Sequence, residues 1–163
     1  MRKLFLLMLI IVCPFIIVAR EMHEYEHEHE HHHPELEFGI SGGFVYNFTE
    51  KEAAPGMHIH VIKALSKSHK FGLGMGYEAI FDEHKHNAAS LIIRYRPIDY
   101  ISINIAPGIS WLSSEKNSAK PSMHIEGIYE WEFGNFHLGP MLGVAFNRED
   151  VHASLALHFA WGF

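Results

Sequence analysis

The sequence predicts an all-β fold, an eight-stranded antiparallel up-and-down transmembrane β-barrel, on three observations. The first is the segment 151–163 (VHASLALHFAWGF), which alternates without a break. Val151, Ala153, Leu155, Leu157, Phe159, Trp161 and Phe163 share one side of an extended chain, and His152, Ser154, Ala156, His158, Ala160 and Gly162 share the other. The second is that seven earlier segments repeat this period, each near the ~9–11 residues that cross a bilayer at a tilt. The third is the sense of the alternation: one set is bulky and aromatic-edged, the other small or polar. A membrane barrel turns the first set to lipid and the second to its lumen. A soluble lipocalin-like barrel would need the reverse, with apolar residues enclosing a ligand.

The first strand is expected over about 36–48, with Leu36, Phe38, Ile40, Phe44, Tyr46 and Phe48 outward and Glu37, Gly39, Ser41, Gly43 and Asn47 inward. Residues 50–55 make a polar loop. The second strand, about 56–65, sends Met57, Ile59, Val61 and Leu65 outward, with Lys63 the exception, and His58, His60 and Ala64 inward. Residues 66–69 turn the chain into a third strand, where Phe71, Leu73, Met75, Tyr77 and Phe81 oppose Gly72, Gly74, Gly76, Glu78 and Asp82. Inward glycines suit a narrow barrel that must house large side chains from other strands. After the loop 83–87, the fourth strand (about 88–96) points Leu91, Ile93 and Tyr95 out and Arg94 and Arg96 in.

Pro97 opens the turn 97–100, since its ring fixes φ and removes a ladder donor. The fifth strand, about 101–112, sets Ile101, Ile103, Ile105, Ile109 and Trp111 against Ser102, Asn104, Ala106, Gly108 and Ser110. The most polar loop, 113–121, follows. The sixth strand, about 122–133, sets Met123, Ile125, Tyr129, Trp131 and Phe133 against His124, Glu126, Glu130 and Glu132. Gly134-Asn135 is a two-residue hairpin turn. The seventh strand, 136–147, sets Phe136, Leu138, Leu142, Val144 and Phe146 against His137, Gly139, Met141, Gly143 and Ala145, and 148–150 lead to the eighth.

Three domains are expected: a signal peptide over 1–19, a His/Glu-rich arm over 20–35 and the barrel over 36–163. Met1-Arg2-Lys3 is basic, residues 4–18 are almost all apolar, and Ala19 offers a cleavage point. A single transmembrane anchor is the alternative, but the run is short for a helix that needs about 20 apolar residues. Cys13, the only cysteine, lies inside this run. Cleavage at Ala19 would leave a cysteine-free protein and exclude disulfides and thiolate metal sites. The formal net charge of −6 argues against a nucleic-acid partner. Mean hydropathy is −0.01, as expected when each strand averages an apolar face with a polar one.

The arm (EMHEYEHEHEHHHPE over 21–35) carries His23, His27, His29, His31, His32 and His33 among carboxylates. It has too little apolar surface to offset the entropy of ordering, so disorder is expected. Imidazoles flanked by carboxylates are good ligands for zinc, nickel or copper(II). The alternative is a solvated spacer.

The inward set holds Glu37, Glu78, Asp82, Glu126, Glu130 and Glu132 against Arg94 and Arg96, with His58, His60, His124, His137, His152 and His158 beside them. Eight-stranded barrels are filled by side chains, and a filled lumen must pair its charges. An acidic surplus remains unless Glu37 and Asp82 sit at wet mouths and histidines compensate the others. If the turn pairs Phe133 with Phe136, Glu132 lies across from His137. The lumen is then either a hydrogen-bonded network or a divalent-metal site or pH-sensitive plug.

These features resemble the small outer-membrane β-barrels of the OmpA and OmpX type, over 36–163: strand count, dyad alternation, the aromatic terminus and the signal peptide. The resemblance is architectural and carries no catalytic signature. It implies a bacterial outer-membrane location, insertion by the barrel assembly machinery, a lipid surround, a monomer and an N-terminal arm in the periplasm. Loops 50–55, 83–87, 113–121 and 148–150 would then be extracellular. They are short, which weakens an adhesin reading. His84 and His86 form a second His-x-His pair in one of them, a further candidate for metal ligation. Lipid-modifying barrel enzymes use a histidine with serine or an acid near the rim. His84, His86, Ser90 and Ser114 are available, but no spaced Ser–His–acid set stands out. The expected function is a non-enzymatic outer-membrane barrel whose arm binds or buffers divalent transition metals, near a metal-uptake system. The alternatives are a structural barrel without a metal role and a lipid-modifying barrel enzyme.

Overall fold

A computed structural model describes residues 35–66, 68–115 and 118–163. The signal-peptide and arm expectations lie outside the described residues. Nine hydrogen-bonded segments follow one another: β1 (Leu36–Asn47), β2 (Glu52–Ala64), β3 (Phe71–Ile80), β4 (His86–Ile98), β5 (Ile101–Leu112), β6 (Lys120–Tyr129), β7 (Trp131–Phe133), β8 (Phe136–Phe146) and β9 (Val151–Gly162). Successive segments pair antiparallel except β6 and β7, which both pair with β8, and β1 pairs with β9, from Glu37 opposite Gly162 to Asn47 opposite His152. Closure is sealed at the termini, where the Phe163 N–H donates to the Leu36 carbonyl at 2.8 Å.

The barrel has eight strands, because β6 and β7 share one position beside β8. Ile128 pairs with Met141 and Trp131 with Leu138 in one continuous register, which sets Tyr129 opposite Pro140. Proline has no N–H to give the ladder, so pairing lapses for two residues and resumes.

The side-chain parity expected from the sequence holds in every strand. Phe44 and Met75 keep 69% and 68% of their surface exposed, and their same-strand neighbours Val45 and Gly74 turn inward. A continuous exposed belt of this kind would be costly in water and is suited to hydrocarbon. Aromatic side chains pair near both ends: Tyr129 on Trp131 (centroids 5.4 Å), Phe136 on Trp161 (5.1 Å) and Trp161 on Phe163 (5.5 Å) at the end that holds Leu36 and Phe163, and Tyr46 on Phe48 (5.1 Å) and Tyr77 near Trp111 (6.2 Å) at the other.

Several strand limits differ from expectation. β2 begins at Glu52, inside the expected loop 50–55, and carries Pro55 opposite Phe44. Proline is tolerated there because its carbonyl still accepts from Phe81 N–H at 2.9 Å. β4 begins at His86 rather than Ala88 and runs through Pro97 to Ile98, its register against β5 shifting between Tyr95 and Ile98. That irregularity absorbs the proline. β6 begins at Lys120, so its loop shortens to 113–119. Gly134 adopts φ +64°, as the glycine-first hairpin requires.

The lumen also contains apolar layers that the sequence reading passed over. Ile62 and Ile92 pack with Ala106 in one, and Val45 with Ala54 and Ile80 in another. Ile92 is 0% exposed.

Belt and lumen have opposite tolerances. Leu155→Arg, in the middle of the outer face of β9, is expected to cost about 2–4 kcal/mol, and Ser154→Ala on the inner face about 1 kcal/mol or less. Reversible urea unfolding in lipid vesicles measures both, and a neutral Leu155→Arg would mean that this face does not meet lipid.

Candidate functional site in the barrel lumen

The middle of the lumen is filled by side chains, and its polar groups fall into two networks. Alternation places Glu37 of β1, His58 and His60 of β2, Arg94 and Arg96 of β4, Asn104 of β5, Glu126 of β6, His137 of β8 and His158 of β9 inward. Glu130, between β6 and β7, joins them.

In the network nearer the termini, Arg94 donates from Nη1 to Glu37 Oε1 at 2.7 Å and from Nε to Asn104 Oδ1 at 3.1 Å. Asn104 passes the contact on to Glu126 Oε2 at 3.1 Å, and His58 Nδ1 stands 3.2 Å from the other Glu126 oxygen. Arg96 Nη2 donates to Glu130 Oε2 at 2.8 Å and lies 3.7 Å from Glu37 Oε2. His60 Nε2 is 3.3 Å from Glu37, and its ring stacks on His158 at 5.2 Å. His158 Nδ1 in turn meets Ser41 Oγ at 3.0 Å. This stack needs Gly39: a Cβ there would lie 2.9 Å from His158 Cε1 and nearer still to the His60 ring.

Glu37 therefore departs from the expectation of a wet mouth. It is buried between two guanidiniums, because the β1–β2 register brings it level with Ile62 and β4 reaches across the bore. Asp82 is also drawn in, bonded to the His86 ring and backbone N–H. Glu132 does pair in register with His137, while His137 Nδ1 lies 3.6 Å from Glu130.

The second network occupies the loop end. Glu78 of β3 reaches across the lumen to His124 of β6, with Oε2 to Nδ1 at 2.8 Å, and to His152 of β9, with Oε1 to Nε2 at 3.8 Å. Asp150 Oδ2 stands 3.7 Å from His152 Nδ1 and accepts from Asn47 Nδ2 at 3.1 Å. Above them a vestibule of about 260 Å³ is lined by Asn47, Glu50, His86, Lys120, Glu149 and Asp150, among others. Lys120 is held by Glu149 at its rim.

All six lumen histidines named from the sequence face inward, and two groupings of them gather ligand-type atoms within 4.8 Å: Glu37, His60 and His158, and Glu78, His124 and His152. His84 and His86 are neighbours with perpendicular rings 6.2 Å apart, but they take different partners, Glu50 and Asp82. Ser90 lies inside the lumen opposite Gly76 and Gly108 rather than at the rim, because β4 starts two residues early. Ser114 Oγ donates to the His84 carbonyl at 3.1 Å, so its bond is to backbone and not to an imidazole. Sequence reasoning missed Asp150, which read as turn, and Asn104, the relay between Arg94 and Glu126.

No protein-family model and no curated protein sequence matches the chain. Among solved structures it is similar to the N-terminal β-barrel domain of Pseudomonas aeruginosa OprF, at 16% identity over 77% of this chain and 97% of that one (TM-score 0.51). Neisserial surface protein A, NspA, is similar at 7% identity, 78% and 96% coverage and TM-score 0.52. Ail, the attachment invasion locus protein of Yersinia pestis, is similar at 11%, with 77% and 95% coverage and TM-score 0.50. The chain has the fold of the small eight-stranded outer-membrane barrels.

Removing one partner from the buried ionic network strands the others. Arg94→Met is expected to cost about 3–5 kcal/mol, and the double change Glu37→Gln with Arg94→Met less than that. Denaturant unfolding of the three proteins gives the coupling, and simple additivity would show that the Arg94–Glu37 pair is energetically idle.

Proposed function

We propose that the protein is a non-enzymatic outer-membrane barrel that captures divalent transition-metal ions on its histidine-rich segment, residues 21–35, on the periplasmic side. The observation that carries this reading is the segment itself: six imidazoles within 23–33, interleaved with carboxylates, in a sequence stretch free of cysteine. Neutral imidazole and carboxylate are the donors that zinc, nickel and copper(II) take in an oxidising compartment.

The barrel supports the reading by what fills it. Its middle is packed with Ile62, Ile92, Ile128 and the Arg94–Glu37 pair, which favours work at the ends over passage through the bore. Leu36 enters the sheet at the end with the connections 65–70, 99–100 and 134–135, which is the periplasmic end if the orientation follows that of outer-membrane barrels. The loops at the other end, 48–51, 81–85, 113–119 and 147–150, are short for an adhesin. A purely structural barrel is the competing outcome.

Growth under zinc or nickel limitation and excess tests the proposal. Cells carrying the intact protein are expected to outgrow, under limitation, cells carrying the protein without residues 21–35. Equal growth under every condition, with both proteins present in the membrane, would remove the metal role.

A further inference from the structure

We propose that Glu78, His124 and His152 form a binding site for one divalent first-row transition-metal ion, of the zinc and nickel class, in the loop-end part of the lumen. The site lies at the far end of the barrel from Leu36 and does not rest on the arm.

The backbone register assembles it from three strands. His124 and His152 both flank Ala145, one from β6 and one from β9. The small side chain between them leaves room, and the rings stand edge to face with centroids 5.9 Å apart. Glu78 comes from β3 on the opposite wall and places one carboxylate oxygen towards each ring. Two imidazoles and a carboxylate make the donor set of zinc and of open-sited iron, nickel and copper centres; calcium and magnesium would want oxygens alone.

Three further observations point to a ligand. His152 Nε2, the nitrogen that faces Glu78, is buried and makes no hydrogen bond, while His124, only 8% exposed, meets Glu78 through Nδ1 and leaves its buried Nε2 without one. Buried imidazole nitrogens are ordinarily satisfied. Beside the rings lies a cavity of about 20 Å³ lined by Glu78, His124, His152, Gly143 and Ser154, among others. That is room for one water or one ion. Asp150 stands behind His152, its Oδ2 3.7 Å from Nδ1, and is itself held by Asn47. A carboxylate on the far nitrogen of a ligating histidine fixes the tautomer and the ring orientation, so Asp150 is a positioning residue. Asp150, His86 and Asn147 also line the vestibule, which gives an entry route.

Charge separates this cluster from the other one. The Glu37 carboxylate beside His60 and His158 is already claimed by Arg94, and Arg94 Nη2 comes within 3.4 Å of His60 Nε2. A cation there would face a guanidinium at contact distance. Around Glu78 the neighbouring groups are His58, opposite it on β2 and itself 3.2 Å from Glu126, then Asp150 and, towards the loops, Asp82 with His86, while Lys120 at the rim is engaged by Glu149; no guanidinium stands among these.

The test uses the full chain in detergent micelles with the six arm histidines replaced (H23N, H27N, H29N, H31N, H32N and H33N), titrated with zinc(II) against a chromophoric chelator. Cobalt(II) supplies a visible ligand-field spectrum. Uptake of one ion per chain is expected, weakened more than about 100-fold by H124N with H152N and about 10–100-fold by D150N. Circular dichroism confirms that each variant keeps its sheet. Silence of the arm-replaced chain, or unchanged affinity in H124N with H152N, overturns the lumen site. If the arm-replaced chain is silent while the unmodified chain binds, the arm reading survives alone. If the unmodified arm carries H124N with H152N and all uptake is lost, the lumen site stands and the arm reading falls.

Discussion

Backbone pairing between the first and last strands governs everything else in this molecule. Hydrocarbon offers no partner for an unpaired N–H or carbonyl, so a sheet that enters lipid must close on itself. Once β1 has met β9, every strand is left with one face outside and one inside, and the outside face must be apolar. All remaining polar chemistry is then confined to a bore that eight strands make too narrow for bulk water. The charged residues of the lumen are thus forced into mutual contact.

Two solutions to that crowding coexist. Near the termini, guanidinium groups neutralise carboxylates directly, with Asn104 extending the chain of contacts to Glu126 and apolar layers of Ile62 and Ile92 sealing it. Near the loops, among the described residues, Glu78 is met by the imidazoles of His124 and His152 rather than by a guanidinium. Arginine is always charged, whereas imidazole can donate, accept or ligate. The first arrangement acts as a fixed plug; the second is chemically adaptable and opens to the vestibule.

The fold was legible because parity is a local property. From Val151 onward each residue's side follows from its neighbour's, and closure preserves that order. The inward isoleucines were hidden where apolar residues run consecutively, as in Leu91-Ile92-Ile93, because a continuous run masks a period of two. Which acid meets which histidine was not legible. Glu78 and His152 are 74 positions apart in the numbering, and their meeting depends on the stagger of strands around the barrel, which no segment carries by itself. Glu37 shows the same limit: its place near a strand end suggested water, yet two arginines from the other wall cover it. The arm's ligand character, by contrast, is a matter of composition and needs no fold to be read.

Pro140 shows how depth decides what a membrane strand tolerates. The two ladder positions lost opposite it fall beside Tyr129 and Trp131, within the aromatic girdle rather than at the midplane. A hydrated boundary can satisfy a backbone group that has lost its ladder partner, which hydrocarbon cannot do. The same imino acid half a strand further along β8 would leave a bare carbonyl facing acyl chains. The interruption between β6 and β7 thus falls near a strand end, where a membrane barrel can bear it.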